Sequence, residues 1–187
     1  MSTPDQELKT YDELREAYRP KHIKMLLIAE SQPPAANVES SRQFYRSDRV
    51  RRGDRLFINT IRALYPEALD APEAELEQHK EQWLRRFQKD GWYMIEALEM
   101  SLEHEVTKQE RQELIKEHLP HLLDRVRKLA ASDTKIILIK SNVYVVAAEP
   151  LQQAGFTVLN KELVDYPGRF NQRAYREKLT ELVQKST

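Results

Sequence analysis

The stretch KMLLIAESQPP, residues 24–34, decides how the chain is read. Five apolar residues, Met25 to Ala29, run without a break and then give way to a carboxylate, a hydroxyl, an amide and two prolines. A half-exposed strand alternates apolar with polar residues. A short unbroken apolar run is instead the pattern of a strand buried on both faces, as in a parallel sheet. A strand over Ile23 to Ala29 puts Glu30 and Ser31 at its carboxyl end. In open α/β sheets that edge is where ligands bind. Glu30, Ser31 and the loop after them are therefore the expected floor of a site.

Upstream, Leu8, Tyr11, Leu14 and Tyr18 recur at helical steps, so Pro4 to Tyr18 reads as a helix that Pro20 ends. Downstream, residues 30 to 53 lack periodicity and form a long loop, which in a compact domain is functional or mobile. It carries Phe44-Tyr45 and then Arg46, Arg49, Arg51, Arg52 and Arg55. Asp54 can cap a helix whose buried face is Leu56, Phe57, Thr60, Ile61 and Leu64. Pro66 to Pro72 connects it to a helix over Glu73 to Lys89, with Pro72 suited to the first turn. Gly91-Trp-Tyr-Met-Ile reads as the second strand, ending near Glu96.

Thr107-Lys-Gln-Glu110 has the spacing of a capping box, so a helix starts there. Pro120 separates it from the next. Lys135 to Lys140, KIILIK, is the third strand. Ser141-Asn142 can cap a helix that Pro150 kinks or breaks and that Gly155 closes. Phe156 to Leu159 is the fourth strand. A turn around Pro167-Gly168 leads to a final helix over Gln172 to Gln184. Strands alternating with helices predict a three-layer α/β domain, with a parallel sheet of about four strands and helices on both faces.

The 187 residues suit one domain. Thirty basic and thirty acidic residues cancel, so only a local patch can favour a polyanion. The absence of cysteine excludes thiol catalysis and iron–sulfur clusters. No apolar run nears the ~18–20 residues that span a bilayer, and the first residues lack a signal-peptide core. The expectation is a soluble, cytoplasmic protein. The five histidines lie on different segments, there is no Gly-rich phosphate loop, and neither a metal nor a cofactor is expected.

Four places in this order resemble the uracil-DNA glycosylase superfamily. IAESQPP resembles its first motif, a strand followed by a Gly-Glu-Ala-Pro-Gly or related loop. Phe44-Tyr45 and then Arg55-Leu56-Phe57 resemble the aromatic and the helix that follow. Gly91-Trp-Tyr-Met-Ile-Glu96 resembles the second strand, and Asp165-Tyr-Pro-Gly-Arg-Phe-Asn-Gln the His-Pro-Ser loop. The resemblance spans roughly Lys24 to Val183 and implies strand order 2-1-3-4 and a protein that acts on DNA. The chain departs from the family at Ala29 (glycine), Ser31 (aspartate or asparagine in other branches), Glu96 (asparagine), Tyr166 (histidine) and Gly168 (serine).

The residues can be assigned roles on that basis. Glu30 is the carboxylate that stabilises a sugar cation or orients water, beside Ser31, and Tyr166 donates to the leaving base. Glu96 accepts from an N–H of the base, which suits a modified or non-uracil base, because an ionised carboxylate repels uracil's carbonyl oxygens. Phe44 and Tyr45 are the rings on which a flipped base stacks. Arg49, Arg51, Arg52, Arg169 and Asn171 contact phosphates. Each has a structural counterpart: Glu30 salt-bridged to Arg55 or Lys140, Phe44-Tyr45 a plug under the loop, Tyr166 a packed turn aromatic, the arginine run paired to acidic residues 73–81. The reading is a divergent DNA glycosylase, or a binder of nucleotide or nucleic acid that kept the fold and lost the chemistry.

Overall fold

The structure is a computed structural model and describes residues 11–33, 42–47, 52–102 and 105–186. The fold class is α/β, with an all-parallel four-stranded sheet flanked by helices. Strands are β1 (Met25–Gln32), β2 (Trp92–Ser101), β3 (Lys135–Leu138) and β4 (Thr157–Val158), in the order β2-β1-β3-β4. That is the order the resemblance implies. Helices are α1 (Arg55–Leu64), α2 (Glu73–Gln78), α3 (Lys80–Lys89), α4 (Lys108–Glu117), α5 (Leu119–Leu129), α6 (Ser141–Gln153) and α7 (Gln172–Ser186), with a 3-10 turn at Pro66–Ala68. Contacts group the described residues into two compact units. Of these residues, 19–33 and 87–163 belong to one, and 11–18, 42–86 and 164–186 to the other.

The first unit holds the sheet. β1 is bonded on both sides: Met25 faces Trp92 and Lys135, and Ile28 faces Ile95 and Leu138. A strand so placed has no wet edge, which is why its side chains read as one apolar run. Leu26, Leu27 and Ile28 are fully buried, and each such side chain contributes about 1.5–3 kcal/mol on leaving water. Both β1 and β2 outrun their expected ends. β2 continues to Ser101 and offers partners to the last residues of β1, Ser31 to Leu98 and, after a bulge, Gln32 to Ser101. Backbone pairing on that side keeps Glu30, Ser31 and Gln32 in the strand although their side chains are polar. β4 is shorter than expected. Beyond it the Asn160 amide replaces a strand residue: Oδ1 accepts from the Leu138 N–H at 3.0 Å and Nδ2 donates to the Leu138 carbonyl at 3.1 Å.

The helices of this unit follow most of their local signals, but the expected Ser141-Asn142 cap does not form: Lys140 is the N-cap of α6 and makes no side-chain cap bond, and Asn142 turns to Glu30 instead. The capping box forms at α4, with Thr107 N–H donating to Glu110 at 2.7 Å and Glu110 N–H donating to Thr107 Oγ1 at 3.3 Å. Pro120 lies in the first turn of α5, where its missing N–H breaks no bond. α6 runs through Pro150 to Gln153, so the expected break is absent. Pro150 sits in the last turn, so the helix loses the one bond its N–H would have made and ends soon after. Gly155 then takes φ +92°, a left-handed conformation suited to glycine.

The second unit is helical. Residues 11–16 are helical, while residues 4–10 of the expected first helix lie outside the described residues. Asp54 caps α1, its carboxylate accepting from Phe57 N–H at 3.1 Å. The helix expected over residues 73–89 is two, α2 and α3, parted at His79. α1 packs on α7 through a Thr60–Tyr175 hydroxyl pair at 2.8 Å and a bond from Thr180 to the Ala63 carbonyl at 2.9 Å. Burial raises the Tyr175 phenol well above its ordinary range, so it stays protonated.

A buried ion pair organises the approach to α1. Lys80 Nζ donates to Asp54 at 2.7 Å and to the Gln43 carbonyl at 2.9 Å, and lies 4.8 Å from the centre of the Phe57 ring. Both charged side chains are buried. Glu77 accepts from the N–H groups of Gly53 at 2.6 Å and Asp54 at 3.3 Å. The acidic helix thus meets the arginine-rich stretch through backbone N–H groups and one lysine. Removing one member of a buried pair leaves the other charge uncompensated. Lys80→Met is therefore expected to lower unfolding stability by about 3–5 kcal/mol in urea titration. A loss under about 1 kcal/mol, the scale of a surface pair, would contradict that role.

Candidate functional site

Glu30 is 4% exposed. A carboxylate leaves water at large cost unless other donors replace the water. Three side chains do so. Asn142 Nδ2 donates to Oε1 at 2.7 Å, Arg111 Nη1 donates to Oε2 at 3.0 Å, and Lys140 Nζ donates to the same Oε2. Burial by itself works to raise the carboxyl's pKa. The bonds from Lys140 and Asn142, with the charges of Lys140 and Arg111, outweigh it and hold Glu30 below its ordinary 4.5. It is an ionised carboxylate at neutral pH.

Each partner comes from a different element. Arg111 lies in the first turns of α4, where its Nε also bonds the Val106 carbonyl at 3.0 Å. Asn142 starts α6 and is itself held by Gln112 at 3.2 Å. Lys140 joins β3 to α6 at φ +80° and ψ +139°, and is the one non-glycine residue with positive φ among the described residues. Side chains rarely adopt that backbone state, which costs on the order of 1–3 kcal/mol and persists where the surroundings demand it. The expected Lys140 salt bridge is present, joined by an Arg111 that sequence reasoning did not single out.

The other expected site residues of this unit do not join Glu30. Successive strand residues point to opposite faces. Ala29 is the register partner of Glu96, so Glu96 projects from the face opposite to Glu30. Ser31 follows Glu30 and also points away from it, half-buried beside Leu98. Strand alternation thus corrects the expectation that Ser31 and Glu96 act beside Glu30. Glu96 is buried, and its carbonyl accepts from Arg125 at 2.7 Å.

In the helical unit, Phe44 and Tyr45 are core. Their rings meet edge-on at 5.0 Å, Tyr45 stacks on Tyr18 at 5.9 Å, and Phe44 meets Phe57 at 6.0 Å. Rings packed this way offer no open face to a flipped base, which corrects their base-binding assignment in favour of the plug. Tyr166 is 42% exposed, yet its hydroxyl is pushed up to about 12, chiefly by desolvation and then by the Asp54 charge. It is a protonated donor at neutral pH. Arg52, Arg169 and Asn171 are exposed, whereas Arg49 and Arg51 lie outside the described residues. Phe170 is 88% exposed, with the Arg169 guanidinium 5.6 Å from its ring centre. Its position in the turn, between arginine and asparagine, was the signal available in the sequence.

Among the described residues no group of three or more His, Asp or Glu is placed to hold a metal ion, and no helix is long and apolar enough to cross a membrane. Comparison with protein-family models, curated proteins and solved structures finds no match for this chain.

The depressed pKa of Glu30 sets a pH signature. A carboxyl held below its unfolded value contributes stability above that value, and the contribution is lost as pH falls through the lower native value. Wild type is therefore expected to lose more stability than Glu30→Gln on going from about pH 6 to about pH 3. Parallel losses in urea titrations at the two pH values would show that Glu30 is not held ionised.

Proposed function

We propose that this protein binds nucleic acid, as a divergent relative of the uracil-DNA glycosylases in which base excision is not the main activity. The observation that carries the reading is Phe170, a large aromatic residue left 88% exposed under the Arg169 guanidinium. Water exposure of a ring is unfavourable, and a base has the flat face that can cover it. Arg52, Arg169 and Asn171 are the phosphate contacts of this reading, and Tyr166 supplies a hydroxyl that remains a donor at neutral pH. Fluorescence anisotropy with labelled single-stranded DNA tests it. Phe170→Ala is expected to weaken binding roughly 5- to 150-fold, the equivalent of ~1–3 kcal/mol for one stacked base. Arg169→Ala should reduce the slope of log affinity against log salt by about 0.7. If both variants bind as wild type does, this surface is not the interface.

A second reading keeps base release, on a modified or non-uracil base. It is supported by the ionised Glu30 near the carboxyl end of β1, where a carboxylate can stabilise a sugar cation. It stands second because Lys140 and Arg111 already offset that charge. Incubation with duplexes carrying a panel of modified bases tests it. Release of free base that disappears in Glu30→Gln supports excision; release unchanged in that variant removes Glu30 from the chemistry.

A further inference from the structure

At Glu30 one carboxylate meets two cations, Arg111 and Lys140. Arg111 on Oε2 and Asn142 on Oε1 already give each oxygen a donor. Lys140 adds a second donor to Oε2, and it is the residue held in a backbone conformation that favours glycine. Its side chain is also differently placed. It is 33% exposed where that of Glu30 is 3% exposed, so the lysine reaches from a buried carboxylate to solvent. An ammonium has three hydrogens to donate, and Glu30 takes one. Two residues further along β1, Gln32 is 6% exposed and its Nε2 has no hydrogen-bond partner. A buried donor left without an acceptor is unfavourable and asks for an explanation.

We propose that the carboxyl edge of the sheet binds a phosphoryl group, with Lys140 as the contact cation and Gln32 as a second donor. Glu30 is a positioning residue: it fixes the direction of the ammonium and does not touch the ligand. A phosphoryl group matches because it brings negative charge and several acceptor oxygens, and lysine binds it as a point charge. This site is independent of the Phe170 surface and goes beyond that reading. Strain at Lys140 and the orphan amide of Gln32 are then concessions of stability to binding.

The experiment is calorimetric titration of the full chain with inorganic phosphate, a nucleoside 5′-monophosphate and the same nucleoside without phosphate. Binding of the phosphate-bearing probes but not of the bare nucleoside is expected. Equal affinity for both phosphates assigns a free-phosphate site, and tighter monophosphate binding assigns a nucleotide site. Lys140→Met should weaken binding at least tenfold. Gln32→Met should weaken it while Tm stays level or rises. Lys140→Gly, in which the backbone conformation carries no strain, should lose binding as well. Phe170→Ala should bind phosphate as wild type does, which separates this site from the nucleic-acid surface. The proposal is overturned if neither phosphate probe binds, or if Lys140→Met or Lys140→Gly retains affinity.

Discussion

A carboxylate can be taken out of water only if something else does what water did. That constraint, applied to Glu30, arranges the carboxyl edge of the sheet. The central strand β1 carries the charge inward. The start of α4 supplies Arg111, the start of α6 supplies Asn142, and the junction between β3 and α6 supplies Lys140. The partners are braced in turn, Asn142 by Gln112 of α4 and Arg111 by the Val106 carbonyl. A single buried charge thereby fixes the register of two helix starts against one strand. Satisfying it fully is what makes such a network specify one arrangement, since a half-satisfied one is less stable than an apolar core.

The helical unit solves a similar problem with Asp54 and Lys80. Here the buried pair secures the cap of α1 and, through Gln43, the stretch that carries Phe44 and Tyr45. Those two rings then close over Tyr18 and Phe57. Aromatic residues that looked available for stacking are committed to the core. The most exposed of the aromatic residues described, Phe170, belongs to the turn before α7. The two kinds of aromatic residue differ in neighbours: Phe44 packs on Phe57 beside a lysine paired to Asp54, while Phe170 adjoins an arginine that lies in water.

Much of the fold was legible because its signals are local. The apolar run of β1, the capping box at Thr107 and the Asp54 cap each declare an element within a few residues. The strand order was legible only through resemblance. Element ends were harder: the polar tail of β1 stays in the sheet because β2 supplies backbone partners, a fact about another segment. The site was partly legible. Glu30 was found from its place after an apolar run, and Lys140 was named as one possible partner. Arg111 was hidden because a charged residue in an exposed-looking helix carries no mark of what it reaches. The strain at Lys140 was hidden too, since a glycine would have announced it and a lysine does not. Glu96 and Ser31 were grouped with Glu30 by position along the chain, and strand alternation sends them to the other face.

Glu30 is an ionised carboxylate held by Lys140, Asn142 and Arg111 while almost wholly removed from solvent. Carbon-detected NMR of the Glu30 side-chain carboxyl, followed through an acid titration in wild type and in Lys140→Met, measures this directly. The account predicts a midpoint below 4.5 in wild type and a rise on loss of the lysine. A wild-type midpoint at or above 4.5, unmoved by the substitution, would contradict it.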